Sequence, residues 1–287
     1  MTQFNAELPF PIRIVKSIIA LTGGRGQYFL RTMLQKLGLM EGTAKYQFFD
    51  GQIYVPLNHP ATFTETDHTT LHGIREINFA NAIYRTLGDF TLVDCGAAYG
   101  VVCMRLTKLC PTLKKVIAID PNPKHCALLE KNLSGTDVDY DVLQAGVSDF
   151  TGSANIVFPQ GQANPYSAYL EADEDGDIHI TSIDKLTINP DHDIALKIDV
   201  EGEEVATFLG ASATIKKAKN VCVFVEIHPE TLRRKNIKAE DILQAASKLR
   251  KFKWMDADMP THVIDETKPF FDQFSEVRQY DIISVSV

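Results

Sequence analysis

Between residues 91 and 227 the chain alternates short apolar runs with segments of helical periodicity, and this alternation constrains its fold more than any other feature. The apolar runs predict strands at Thr91–Asp94, Val116–Asp120, Val142–Val147, Ile194–Asp199 and Val221–Ile227. Apolar residues three or four positions apart predict helices between them, at Val101–Cys110, Lys124–Leu133 and Glu203–Lys219. Strands that alternate with helices favour a parallel sheet with helices on both faces. We therefore predict a Rossmann-like α/β fold.

The segments on either side complete the predicted sheet. A helix at Ile77–Leu87 should lead into the first strand, and a helix at Ala239–Leu249 should follow the fifth. Two terminal strands, Lys253–Asp256 and Tyr280–Val287, can pair antiparallel. We expect a seven-stranded, mostly parallel sheet in a domain that covers residues 71–287.

Two segments depart from the alternation. Residues 1–70 have no sustained periodicity and predict an N-terminal extension with a helical cap and a short hairpin. Residues 150–186 carry short β-like runs where a helix would be expected, which predicts an inserted hairpin with a polar loop at Glu171–Asp177. In the extension, His68 and His72 have the i, i+4 spacing of zinc ligands on a helix, but no further ligand stands near them.

The charge balance and the cysteines exclude several classes of protein. The 287-residue chain has 29 basic and 37 acidic residues, a net charge of -8, and lacks a basic run that could follow a phosphate backbone. A nucleic-acid partner is therefore not expected. The five cysteines form no CxxC pair, which predicts reduced thiols and a cytoplasmic protein. The sequence carries no signal of oligomeric state.

Membrane insertion is not expected either. The chain has no apolar stretch of about 18 residues, the length that a transmembrane helix needs, and its N-terminus lacks the pattern of a secretion signal. The best amphipathic segment is Ile12–Leu39, where basic residues lie between apolar ones and a run of glycines interrupts the helix. Two interpretations stay open for it: a helical cap on the core, which we favour, and a helix in peripheral contact with a membrane.

The loop after the first predicted strand, Asp94–Gly100, has the character of a ligand-binding turn. Ligands of open α/β sheets bind at the carboxyl ends of the strands. Gly96 allows a tight turn under a ligand, and Gly100 allows the next helix to begin close to the strand. A dinucleotide-binding turn would carry a second glycine at Ala98, and Asp94 would repel its pyrophosphate. The cationic sulfonium and amino-acid group of S-adenosylmethionine suit this acid better.

The next two strand ends extend the predicted donor site. Asp120, followed by Pro121, ends the second strand, where a carboxylate can accept hydrogen bonds from both ribose hydroxyls. The alternative for Asp94 and Asp120 is that each caps the helix after its strand. The end of the third strand should lie beside the adenine. The predicted donor contacts are thus Asp94, Gly96, Ala97, Gly100, Asp120, Pro121, Gly146 and Val147.

Acidic residues follow the fourth and fifth strands. Glu203 and Glu204 can be explained by the positive end of the next helix, which leaves Asp199 and Glu201 unexplained. A charge at Glu226, within an apolar run, needs a partner or a role. The predicted reaction-site residues are Asp199, Glu201, Glu226 and His228.

These residue types suit methyl transfer to a hydroxyl group. The reaction is an in-line displacement in which the protein aligns the acceptor and removes its proton. His228 has the natural pKa of a general base, and Asp199 or Glu226 could orient the imidazole or take the proton directly. Alternatively, the carboxylates could bind Mg²⁺. Structural roles also stay open, with His228 bonded to main chain and Glu226 in a buried ion pair.

At this point the sequence resembles a known family, the FkbM-type methyltransferases, which use S-adenosylmethionine and mostly O-methylate sugars and secondary metabolites. The similar stretches are Asp94–Gly100, Ala118–Pro121 with Asn132, Ile183–Leu186, Lys197–Glu203 and Val225–His228. The family usually has Glu at Asp120 and commonly Asn at Ala98. The resemblance implies a small-molecule or glycan acceptor. The alternatives are an NAD-dependent oxidoreductase and a non-catalytic nucleotide-binding protein.

Overall fold

The computed structural model describes residues 7–59, 73–157 and 169–287. His68 and His72 lie outside the described residues. Two compact units divide the chain, the first covering Met1–Gly73 and the second Ile74–Val287. Among the described helices, not one combines the length and the apolar character that crossing a membrane requires.

The N-terminal unit contains two helices and a hairpin. Helices α1 (Phe10–Leu21) and α2 (Gln27–Lys36) are separated by a turn in which glycines adopt positive φ. Strands β1 (Thr43–Phe48) and β2 (Gly51–Pro56) pair antiparallel. The amphipathic segment of the sequence is therefore two short helices.

The second unit is an α/β domain. Its strands are β3 (Phe90–Cys95), β4 (Leu113–Asp120), β5 (Asp139–Gln144), β6 (Gly146–Val147), β7 (Gly152–Val157), β8 (Tyr169–Ala172), β9 (Ile178–Thr181), β10 (Asp193–Ile198), β11 (Val221–Ile227), β12 (Phe252–Asp256), β13 (Val263–Ile264) and β14 (Tyr280–Ser286). Its helices are α3 (Ile74–Thr86), α4 (Val101–Leu109), α5 (Pro123–Leu133), α6 (Glu204–Gly210), α7 (Ser212–Lys217), α8 (Pro229–Lys235) and α9 (Ala239–Ser247).

The main sheet has the strand order β13-β12-β14-β11-β10-β3-β4-β5. Strands β11, β10, β3, β4 and β5 are parallel, whereas β14 lies antiparallel between β11 and β12. The predicted Rossmann-like fold and its seven strands are confirmed, and the two-residue edge strand β13 makes the eighth. Because the chain proceeds from β3 toward β5 on one side and returns to β10 on the other, the switch point lies between β3 and β10.

Two sequence predictions were wrong in detail. The third strand does not continue to Val147. It ends at Gln144, and β6 joins β9, β7 and β8 in a separate four-stranded sheet instead of a lone hairpin. The single helix predicted at Glu203–Lys219 is two helices that meet at Gly210. A Cβ at this glycine would lie 2.2 Å from the carbonyl oxygen of Ser148, so the close approach of the residue after β6 requires a glycine at the end of α6.

The core of the unit lies along the two central strands. Every residue of β3 and of β10 is buried, as expected for strands covered on both faces. The charged side chains on these strands are buried with them: Asp193, which accepts hydrogen bonds from the amides of Gly88 and Asn220, and the facing pair of Asp94 and Lys197. Buried charges need partners, and the pair of Asp94 and Lys197 leads directly to the site.

Candidate active site

Lys197 lies at the switch point and joins the ends of β3 and β10. It stands opposite Asp94 in the parallel register of the two strands. Its Nζ donates to the carbonyl oxygen of Gly96 at 2.7 Å and to Asp199 Oδ2 at 3.2 Å, and lies 3.4 Å from Asp94 Oδ1. Lys197 belongs to the family-like stretch Lys197–Glu203, but the sequence predicted no role for it. The signal available was a single basic residue inside an apolar run.

The charges of Lys197 and its partners stabilise one another. Burial by itself lowers the pKa of Lys197, but Asp199 and Asp94 outweigh this and raise it above its ordinary value. Burial raises the pKa of Asp94, an effect that Lys197 and a hydrogen bond from the Cys103 thiol (3.0 Å) partly offset. Lys197 and Cys103 therefore compensate part of the cost of burying the Asp94 carboxylate.

Gly96 brings the donor turn against the loop that follows β10. Its φ is +79°, and a Cβ on it would lie 1.8 Å from the carbonyl oxygen of Asp199. The Asp199 amide also donates to the carbonyl oxygen of Cys95 at 3.1 Å. Glycine is thus required by the protein's own backbone, and the predicted donor turn and the predicted reaction site are in direct contact.

Asp120 ties the donor turn to the end of β4. Its Oδ2 accepts the amide of Ala98 at 2.9 Å. Its Oδ1 accepts the amide of Asn122, beyond Pro121, at 2.9 Å and lies 3.0 Å from His125 Nδ1. Ala98 is a non-glycine residue with φ +48°, so the turn is held in a strained conformation.

Helix capping does not explain the two strand-end acids. The N-cap of α4 is Gly100, in the left-handed region, and the N-cap of α5 is Asn122, whose side chain accepts the Lys124 amide. Neither Asp94 nor Asp120 holds an N-cap position. The capping alternative is therefore wrong for both residues.

Two main-chain hydrogen bonds join the ends of β3 and β5 to the end of β4. The amide of Ala97 donates to Ile119 at the end of β4 (3.0 Å), and the amide of Ala145 donates to the carbonyl oxygen of Asp120 (3.2 Å). Gly146 and Val147 follow directly and pair with β9. The ends of β3, β4 and β5 thus meet around Asp120, as the sequence predicts.

Three of the four predicted reaction-site side chains come together. His228 Nε2 lies 3.5 Å from Asp199 Oδ1 and 3.4 Å from Glu226 Oε1. It is buried and has no well-aligned hydrogen bond to either. Glu226 also accepts a hydrogen bond from the side chain of Gln279, on the loop that leads into β14. His228 follows β11 as the N-cap of α8, so β10 and β11 position the cluster.

Glu201 lies at the edge of this cluster. It is held by a hydrogen bond from the hydroxyl of Thr231 to its Oε2, at 3.0 Å, and has φ +51°. The two strained non-glycine residues of the site, Ala98 and Glu201, therefore stand in the loops after β3 and β10. Backbone strain of this kind is often concentrated at functional sites.

The proximity of the charges displaces their pKa values. Burial lowers the pKa of His228, but Asp199 and Glu226 outweigh it and raise this pKa to about 11. Burial, and then the charge of Asp199, raise the pKa of Glu226 to about 8. Burial would raise the pKa of Asp199 as well, but Lys197 and His228 hold it below its usual range. At neutral pH the imidazole is a cation, and Glu226 is the member that titrates near neutrality.

The cluster fits Mg²⁺ poorly, although ligand atoms of Asp199, Glu226 and His228 lie within 4.8 Å of one another. Mg²⁺ demands octahedral oxygen coordination, whereas an imidazole nitrogen suits transition metals. The Lys197 ammonium, 3.2 Å from Asp199, already supplies positive charge to this carboxylate. The strand ends fit S-adenosylmethionine better, since a ring of carboxylates attracts a cationic ligand and repels a pyrophosphate.

The fold and the position of the site define a class. A doubly wound sheet that places acidic strand ends at its switch point is the architecture of class I S-adenosylmethionine-dependent methyltransferases. The sequence profile of the Methyltransferase FkbM domain matches residues 94–280, more than half of the chain. The chain therefore belongs to the FkbM family of methyltransferases, which confirms the resemblance seen in the sequence.

Solved structures similar to the chain are distant in sequence. Methyltransferase FkbM from Methylobacillus flagellatus is 15% identical, with a TM-score of 0.44 over 73% of this chain and 52% of that one, so this chain spans about half its length. M. jannaschii TYW2 in complex with AdoMet is 10% identical (TM-score 0.43; 86% and 85% covered). A SAM-dependent O-methyltransferase from Thermotoga maritima is 13% identical (0.41; 74% and 64%). No curated protein sequence matches the chain.

Proposed function

We propose that this protein transfers the methyl group of S-adenosylmethionine to a hydroxyl on a sugar, glycan or secondary metabolite. The observation that carries the proposal is the contact between Gly96 and Asp199, which sets the donor turn directly against a cluster of titratable side chains. Bound S-adenosylmethionine supplies a methyl carbon that its sulfonium activates. The protein then has to orient the donor and acceptor and remove one proton.

The donor half of the site positions rather than reacts. Asp120 retains lone pairs beyond its three protein contacts, so its carboxylate can accept the ribose hydroxyls. Gly96, Ala97 and Gly100 shape the turn, Pro121 follows the ribose carboxylate, and Gly146 and Val147 contribute main chain for the adenine. Asp94 acts indirectly, because it pairs with Lys197, which donates to the carbonyl oxygen of Gly96 in the turn.

Glu226 is the proposed general base. A hydroxyl oxygen that attacks the methyl carbon loses its proton to this carboxylate as the carbon–sulfur bond breaks. His228, held as a cation, balances the negative charge that develops on the acceptor oxygen. Asp199 fixes the imidazolium and is itself held by Lys197. The raised pKa of His228 favours this assignment over His228 as the base, because an imidazolium cannot accept a proton.

We assign the acceptor to a cavity next to the inserted sheet, which Glu203 connects to the loop after β10. A cavity of about 330 Å³ is lined by residues of β7–β9, by Ser148 and Phe150, and by the ion pair of Glu203 with Lys235 (2.6 Å). The lining combines apolar side chains, Phe150 among them, with the polar side chains of Ser148, Glu171, Glu203 and Lys235, a mixture that suits a sugar-sized molecule. We expect Phe150→Ala to raise the KM for the acceptor and leave the Kd for the donor unchanged; a raised donor Kd would remove this cavity from the acceptor site.

Calorimetric titration tests the donor. S-adenosylmethionine and S-adenosylhomocysteine should bind, and NAD should not. Transfer of labelled methyl to a panel of hydroxylated sugars then tests the activity. Tight binding of NAD without binding of S-adenosylmethionine would overturn the proposal, and donor binding without transfer to any hydroxyl acceptor would restrict the chain to a binding role.

A pH series tests the base. Glu226 accepts a proton only when ionised, so turnover should rise as the pH passes through about 8. The rise should be absent in Glu226→Gln. Turnover that does not change between pH 6.5 and 9 in the unaltered protein would contradict this role.

Treatment with EDTA tests the metal alternative. We expect activity to survive exhaustive treatment, and activity that is lost and then restored only by Mg²⁺ would show that the metal is required.

A further inference from the structure

Helix α1 is apolar on two opposite faces. One face is buried, through the side chains of Ile12, Val15 and Ile19. The opposite face is exposed and also apolar, at spacings i, i+4, i+8 and i+11 that align on one side of a helix. Its members are Phe10, Ile14, Ile18 and Leu21. A helix that only capped a core would carry polar residues on this second face.

Exposed apolar side chains also lie at both ends of the turn and along α2. Leu21, Tyr28 and Phe29, on either side of the turn, are 87%, 85% and 70% exposed. Along α2, Phe29, Met33 and Leu37 form a second exposed row at i, i+4 and i+8. Large apolar side chains exposed in such number on two successive helices mark an interaction site rather than chance exposure.

The charge of this segment has the opposite sign from that of the chain. Residues 10–39 contain five basic and no acidic residues, in a protein of net charge -8. Three of the basic side chains, Arg13, Arg25 and Lys36, are exposed. The combination of exposed apolar rows with basic residues matches an interfacial helix at an anionic lipid surface.

We propose that the α1–α2 segment, residues 10–39, binds the surface of an anionic lipid bilayer. The apolar rows enter the boundary between headgroups and acyl chains, the basic residues meet lipid phosphates, and Tyr28 has the amphipathic ring that interfaces favour. A second copy of the chain is a poorer occupant, because a symmetric contact would place the same basic surfaces against each other. This inference does not depend on the proposed methyl transfer.

Co-sedimentation of the full chain with vesicles tests the proposal. Vesicles that contain about one third phosphatidylserine should bind the protein about tenfold more strongly than vesicles of phosphatidylcholine alone. Leu21→Glu with Phe29→Glu should weaken binding at least about tenfold, because two of the apolar side chains that enter the bilayer are lost. Arg25→Glu with Lys36→Glu should remove the preference for phosphatidylserine.

A matched control and a second measurement keep the test decisive. Tyr84 is 74% exposed on α3, and Tyr84→Glu should bind vesicles like the unaltered protein. Circular dichroism should show the same helical content in every variant. The absence of binding to both vesicle types would overturn the proposal. So would an equal loss in Tyr84→Glu, or self-association in analytical ultracentrifugation that disappears in the Leu21 and Phe29 variant, which would identify a second copy as the occupant.

Discussion

The two halves of the site differ in how far the protein itself satisfies their charged groups. At the donor half, Asp120 has three protein partners, and Asp94 accepts a hydrogen bond from the Cys103 thiol through Oδ2, while its Oδ1 lies 3.4 Å from Lys197 without an aligned hydrogen bond. At the acceptor half, His228 lies 3.4 and 3.5 Å from two carboxylates without an aligned hydrogen bond. Each acid of the donor half thus accepts at least one hydrogen bond from the protein. The acceptor half keeps its groups close but poorly bonded, which leaves them free to respond to a substrate.

Lys197 connects the halves, and its removal should have the largest effect. Lys197→Met leaves the buried carboxylate of Asp94 without its cation and Asp199 with His228 alone, which should lower the free energy of unfolding by about 3–5 kcal/mol. Urea unfolding followed by the fluorescence of Trp254, the single tryptophan and a buried residue of β12, measures it.

Lys115→Met provides the control. Lys115 also pairs with an aspartate, Asp141, at 2.8 Å, but at a more exposed position on β4. Its loss should cost less than about 1 kcal/mol. Equal effects in the two variants would show that Lys197 is not a special link between the halves.

Binding and turnover should separate the halves. At saturating donor, Glu226→Gln should lower kcat about 100-fold and change the Kd for S-adenosylmethionine less than about twofold. Asp120→Asn should raise that Kd about tenfold, since an amide places N–H groups against the donating amides of Ala98 and Asn122. Asp120→Glu, the residue usual in the family, should retain donor binding. The division between halves fails if Glu226→Gln weakens donor binding as much as Asp120→Asn does.

The free energy of unfolding should depend on pH through Glu204, which follows the reaction-site loop after β10. Burial raises the pKa of Glu204, on the first turn of α6, from 4.5 to about 7. Its protonated form is favoured in the folded state, so this stabilisation is complete below pH 4.5 and is lost as the pH rises through 7. Between pH 5.5 and 8.5 the loss that Glu204 itself contributes should amount to about 2 kcal/mol, in addition to that of Glu226, whose raised pKa acts over the same range. Glu204→Gln should remove the contribution of Glu204, and Glu240→Gln, on the first turn of α9, should not.

The smallest effect concerns the strained donor turn. Ala98 has φ +48°, and asparagine tolerates this conformation better than alanine. Ala98→Asn should therefore stabilise the unit by about 0.5–1 kcal/mol in urea unfolding. Asn236, at φ +54° after α8, offers the reverse experiment, because Asn236→Ala should lose a similar amount. A destabilised Ala98→Asn would mean that side-chain crowding outweighs backbone strain in this turn.

Strand positions and strand-end chemistry could be predicted because they depend on local patterns. Apolar runs of β3, β4, β10 and β11 mark buried strands, and parallel strands bring their carboxyl ends to one edge, so the meeting of Asp199, Glu226 and His228 followed from topology alone. The exit of β6 to a second sheet was missed, because Val142–Val147 is apolar apart from Gln144, and one polar residue does not signal a change of partner.

By itself, then, the sequence determined the fold class, the family and the residues at the strand ends, since periodicity and spacing are properties of a short stretch of chain. Only the tertiary structure decided the ionisation of these residues. A pKa depends on burial and on charges from distant segments of the chain. Asp94 has Lys197 as a partner only because β10 lies beside β3, and His228 is a cation only because two carboxylates lie beside it. For the same reason, the surplus apolar face of α1 became evident only when its other face was seen to be buried.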